Sequence, residues 1–135
     1  MNFLAINWAA FAVVYVIGFM FSAIWFGPKT FYPAWWKLMG DRPMPTRDEP
    51  DSTPAFALFG LTMLGLFVQV TAVALLVQVL DAPGAIIGLG VGLVGAFASL
   101  GHRMFARHGI RVWAIEVTPD VIVAVIAGVI LSIWV

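Results

Sequence analysis

Four stretches of this sequence, residues 4–26, 54–80, 84–107 and 113–135, are each about twenty residues or longer and nearly free of charge. An α-helix rises about 1.5 Å per residue, so roughly twenty apolar residues cross the ~30 Å hydrocarbon core of a bilayer. Lipid offers the backbone no hydrogen-bond partners, and runs of this length satisfy their own peptide groups as helices. The expected fold is therefore all-α, a four-helix transmembrane bundle made by one membrane domain over residues 1–135. With 62% hydrophobic and 10% charged residues and a mean hydropathy of +1.01, the chain lies well outside the range of soluble globular domains.

The interruptions define the connections. Only Asn7, Tyr15 and Ser22 break the first run, and Gly27-Pro28 stops it. The N-terminus has no basic region or small-residue cleavage site, so this run is expected to be kept as a span rather than removed as a signal peptide. Residues 31–39, aromatic and basic together, suit a short segment at headgroup level. Residues 40–53 mix Pro43, Pro45 and Pro50 with Asp41, Arg42, Arg47, Asp48, Glu49 and Asp51, and read as a solvated loop. Thr53-Pro54 has the form of a helix cap followed by a first-turn proline. Asp81-Ala82-Pro83 marks a tight turn, and Gly109 is the expected stop of the third span. The fourth span begins either near Val112 or at Pro119.

The basic residues set an expected orientation. Lys29, Lys37, Arg42 and Arg47 fall between the first and second spans, and Arg103, Arg107 and Arg111 between the third and fourth. All seven therefore lie on one side, which the positive-inside rule makes cytoplasmic, with both termini outside. Trp8 and Trp134 fall at the outer boundary and Trp25, Trp35, Trp36 and Trp113 at the inner one, as interfacial anchors do. The bacterial cytoplasmic (inner) membrane is the expected location, and membrane lipids are the first expected partners. A net charge of zero argues against a nucleic-acid footprint. The absence of cysteine leaves no thiolate metal site or iron–sulfur cluster, and no cofactor is expected.

Ionisable residues inside a span are costly and raise a functional question. Glu116 and Asp120, four apart, share one helical face. If the fourth helix is continuous from Trp113, both enter the membrane as a proton or cation site, which His102 on the antiparallel third helix could complete. Alternatively Thr118-Pro119-Asp120 is a helix start, with Thr118 as cap and Asp120 in a favourable first turn. Glu116 would then sit among headgroups, paired with Arg111 or Arg107. His102 and His108 are six apart, on different faces, so they do not form a local metal pair. Gln69, near the middle of the second span, suits an interhelical hydrogen bond, with Asn7 a similar case nearer the surface.

Gly84, Gly88 and Gly92 repeat every fourth residue and Ala96 continues the stripe. Small residues at this spacing let another helix approach closely. Ala124, Gly128 and Ser132 repeat the pattern more weakly in the last span, and Gly18 with Ser22 in the first.

The opening Met1-Asn-Phe-Leu-Ala-Ile-Asn-Trp8, the Ile24-Trp-Phe-Gly-Pro28 that closes the first span, Trp36-Lys-Leu-Met-Gly40, and a last span with Gly128 and Trp134 resemble the domain-of-unknown-function 1761 family. The resemblance covers most of the chain and implies a small four-helix integral membrane protein, without implying a chemistry. Relatives tend to carry an Asn and then a Gly-Tyr pair early in the last helix, where this chain has Glu116 and Thr118-Pro119.

No Ser/His/Asp triad, phosphate-cradling glycine loop or metal-spaced ligand set can be assembled, so nothing marks an enzyme. The first functional expectation is a non-catalytic interaction protein. It would be an accessory or assembly subunit packed by its small-residue faces against a larger membrane complex, for example a respiratory or photosynthetic one, or a homo-oligomer. The second is a small proton- or cation-coupled transporter or channel using Glu116 and Asp120.

Overall fold

The computed structural model describes residues 2–27, 29–39 and 55–134. It contains α1 (Trp8–Trp25), α2 (Tyr32–Met39), α3 (Ala55–Val79), α4 (Gly84–Phe105) and α5 (Ile110–Ile133), preceded by one 3-10 turn over Phe3–Ala5. All but α2 are long and apolar enough to span a membrane. The protein is thus an all-α bundle of four membrane-compatible helices. The loop and the Thr53-Pro54 cap expected between α2 and α3 lie outside the described residues.

Local chemistry sets the helix ends, and three differ from the sequence expectation. α1 begins at Trp8 rather than Leu4, because Asn7 caps it by accepting the Ala10 amide at 3.1 Å. Asn2 likewise caps the preceding 3-10 turn through the Leu4 amide. α4 stops at Phe105, two residues short of the expected Arg107. The Arg107 amide bonds Met104 O at 3.0 Å and the His108 amide bonds Arg103 O at 3.1 Å. These two bonds make a Schellman motif, in which Arg107 takes the left-handed conformation (φ 60°) that glycine usually fills. Gly109 (φ 87°) is therefore the residue before α5 rather than the stop of α4. α5 then starts at Ile110 and runs without a break through Pro119, so Thr118-Pro119-Asp120 is not a helix start.

α5 is the central element and packs on α1, α2, α3 and, most extensively, α4. Hydrophobic burial does not draw helices together in lipid, so close packing has to. The glycine stripe of α4 faces α5 of the same chain. A methyl group on Gly84 or Gly88 would overlap the carbonyl oxygens of Gly128 and Ala124, and one on Gly128 would overlap Gly84 O. On Gly92 it would come within 2.8 Å of Val121 Cα. On Gly18 of α1 it would come within 2.8 Å of a side-chain atom, Val123 Cγ1 of α5. The small-residue faces of α4 and α5 are thus spent on each other.

Toward the chain termini, Ile6, Phe11, Val14, Val70, Val73 and Ala127 form a closed apolar core between α1, α3 and α5. Asn7 Nδ2 donates to Trp134 O at 2.9 Å, and the backbone of Asn2 exchanges two hydrogen bonds with the Gln78 amide, each 3.1 Å. These contacts join the start of α1 to the ends of α3 and α5. At the opposite end, the half of the bundle that carries the arginines is hollow.

Candidate functional site

Proline at position 119 removes the amide that would bond the carbonyl of Ile115, the expected fault of a proline inside a helix. Here the indole N–H of Trp25, on α1, donates to Ile115 O at 2.9 Å. Thr118 Oγ1 donates to Ala114 O in the same turn, and Pro119 itself is fully buried. The helix therefore continues, and Asp120 becomes the eleventh of the 24 residues of α5. Its backbone carbonyl accepts Gln69 Nε2 from α3 at 2.9 Å. The interhelical role expected of Gln69 is thus the one its side chain fills.

The two carboxylates differ sharply in their surroundings. Glu116, 14% exposed, has both oxygens occupied: Oε2 lies 2.7 Å from Arg103 Nε and Oε1 accepts Trp35 Nε1 at 2.8 Å. Its partner is Arg103, not the expected Arg111 or Arg107, because the side chain of Arg103, whose carbonyl closes the Schellman motif, reaches α5. Arg103 Nη1 also lies 3.4 Å from His108 Nδ1. Asp120, one turn deeper, is exposed, and its carboxylate has no hydrogen-bond or ion-pair partner among the described residues.

Both carboxylates line a cavity of about 660 Å³ between α3, α4 and α5. It reaches Leu61 to Ala72 on α3, Val91 to Arg103 on α4 and Glu116 to Val123 on α5, with Phe19 and Ser22 contributed by α1. Leu61, Val68 and Val94 border it and are 65%, 58% and 73% exposed, so its open side lies between α3 and α4. Gly65 and Gly95, on those two helices, have nothing within 4 Å of where a Cβ would stand, so both walls are recessed there. Apart from Arg103, Glu116 and Asp120 the described residues of the lining carry no charge. Its net charge is accordingly that of Asp120.

His102 is exposed on α4 and is not among the described residues that line the cavity, so the structure does not bring it to the carboxylates. Among the described residues no three of His, Asp and Glu converge to hold a metal. The tryptophans divide. Trp8 and Trp134 are 48% and 43% exposed. Trp25, Trp35 and Trp113 are half-buried and donate to Ile115 O, Glu116 Oε1 and Ala96 O respectively. Trp36 is half-buried, its ring 6.1 Å from those of Trp35 and Tyr32. Sequence reasoning missed Arg103 and the recessed glycines as parts of the site. One signal was available: Pro119 announces an orphaned carbonyl at Ile115, which needs a donor from a neighbouring helix.

Three apolar helices around a fourth, with a largely apolar cavity that holds two carboxylates in one half, define a small integral membrane protein. The chain belongs to the DUF1761 family, described as proteins of unknown function, whose family model matches residues 9–132. No curated protein and no solved structure matches it.

Proposed function

We propose that this protein is a small membrane-embedded carrier of protons or small cations, with Asp120 as the charge that binds them. The observation that supports this reading is the Asp120 carboxylate, without a hydrogen-bond or ion-pair partner among the described residues, in the middle of a continuous helix and facing a cavity. Taking Trp113 and Trp134 as the two membrane boundaries, the helix between them is about 31 Å long, close to the hydrocarbon thickness. Asp120 is then about 10 Å below the Trp113 level. An ionised carboxylate at that depth requires a counter-charge, and Arg103, the one cation among the described residues of the lining, is already engaged by Glu116. A proton or a bound cation would supply it.

Glu116 takes a different role in this proposal: with Arg103 and Trp35 it fixes the cavity's mouth and the position of α2. The closed core toward the termini favours a carrier open on one side over a continuous pore. By the positive-inside rule the end bearing Lys29, Lys37, Arg103, Arg107 and Arg111 is cytoplasmic, and the cavity opens in that half with both termini outside. The reading as an accessory subunit drew on the glycine stripe of α4, and α5 of the same chain occupies that stripe.

The test is proton and sodium flux in liposomes reconstituted with the full chain and driven by a potassium diffusion potential. Flux above that of empty liposomes, lost in Asp120→Asn, is the expected result. Wild-type flux from Asp120→Asn, or none above empty liposomes from the wild type, would overturn the proposal.

A further inference from the structure

We infer that the cavity binds a monovalent organic cation with an apolar body, its charge set against Asp120 and its body between α3 and α4. This rests on the reading of Asp120 as the cation-binding charge, and it specifies the class of ligand. Size is the first reason. A cavity of about 660 Å³ falls within the range of small-molecule sites, which run to roughly 300–1,000 Å³, and is far larger than a bare metal ion needs.

The donor set is the second reason. Hard cations take six to eight oxygens, for calcium, or a tight octahedron, for magnesium. Beside Asp120 the described lining offers one further carboxylate, Glu116, already paired with Arg103, and otherwise only the neutral side-chain oxygens of Ser22, Thr62, Gln69 and Ser99. Ser99 donates to Ala96 O, Thr62 to Leu58 O, and Gln69 gives its amide to Asp120 O. Phe19, Leu66, Val91, Val117 and Val123 make up much of the remaining wall. That surface suits hydrocarbon, and an organic cation with its charge spread or shielded needs only one opposing carboxylate.

Charge is the third. Arg103 and Glu116 cancel at 2.7 Å, so the described lining presents one net negative charge, which matches a monocation and leaves a dication unbalanced. The recessed walls at Gly65 and Gly95 mark where the body sits, since both have space for a side chain that the chain does not supply.

The experiment uses the purified full chain in lipid nanodiscs and tetraphenylphosphonium as the probe, with binding read by equilibrium dialysis. Saturable binding near one per chain is expected, weakened roughly tenfold or more by Asp120→Asn. Gly95→Leu and, from the facing wall, Gly65→Leu should weaken it similarly by filling the space. Gly90→Leu, also open but outside the cavity, should bind as the wild type does. Helical circular dichroism checks that each variant is folded. Absent or non-saturable binding, or binding equal in the wild type and Asp120→Asn, overturns the inference. If Asp120-dependent proton flux persists alongside that failure, the carrier reading stands and only the ligand class is wrong; if flux is missing too, both fall.

Discussion

Trp25 and Ile115 are 90 positions apart, and the indole of one donates at 2.9 Å to the carbonyl of the other that Pro119 leaves without an amide. This bond permits α5 to run through a proline, and the unbroken run carries Asp120 to mid-helix. Trp25→Phe keeps an aromatic ring, though a smaller one, and removes the donor, stranding a half-buried carbonyl. It should cost about 1–3 kcal/mol in denaturant titrations in mixed micelles. In a Pro119→Ala background the restored amide bonds Ile115 O instead, and the same substitution should cost much less. Equal losses in both backgrounds would show that the indole bond does not serve the proline.

The contact between α4 and α5 makes an unambiguous contrast among glycines. A methyl group on Gly88 meets the backbone of Ala124, and backbone cannot swing aside as a side chain can. Gly88→Ala should therefore destabilise the bundle by about 2 kcal/mol, within the range of overpacked cores. Gly90 lies two residues away on the same helix with nothing within 4 Å. Gly90→Ala should leave stability unchanged or raise it by up to about 1 kcal/mol through helix propensity.

Arg107 sits at φ 60° to close the Schellman motif at the end of α4. An L side chain is strained there by roughly 1–2 kcal/mol, and glycine is not. Arg107→Gly is expected to raise the midpoint of thermal unfolding in detergent, with no change in helical content. A lowered midpoint would mean that the arginine side chain contributes more than its backbone strain costs.

Much of the architecture could be read directly from the chain. The four apolar runs become the four long helices, and the basic residues of α4 and α5 share an end with Lys29 and Lys37 because those helices run antiparallel. The glycine spacing foretold a close helix contact, although the sequence could not say that the contacting helix was α5. The site was harder to read, for a physical reason. Thr118-Pro119-Asp120 is locally an adequate helix start, and what overrides it is a donor on α1, remote in sequence. The partner of Glu116 depends on the rotation of α4 against α5, which the glycine contacts set. Arg111 and Arg107 were nearer along the chain, and Arg103 is nearer in space.

The chain contains no cysteine, so single thiols can report orientation without background. Thr30→Cys, after α1, should react with a membrane-impermeant maleimide only from the cytoplasmic side, and Ala82→Cys, in the turn before α4, only from the opposite side. The reverse pattern would invert the proposed topology and move the cavity to the outer half.

The most direct measurement of the central claim is the reactivity of a thiol at position 120. N-ethylmaleimide crosses the bilayer but attacks the thiolate, and a thiol surrounded by hydrocarbon or packed side chains does not ionise. In nanodiscs Asp120→Cys should be labelled readily, while Ala127→Cys, in the closed core with 0% exposure, should stay unlabelled until the protein is denatured. If the thiol at position 120 is as inert as the one at 127, the cavity does not reach the middle of α5, and the case for a charge-binding site there is lost.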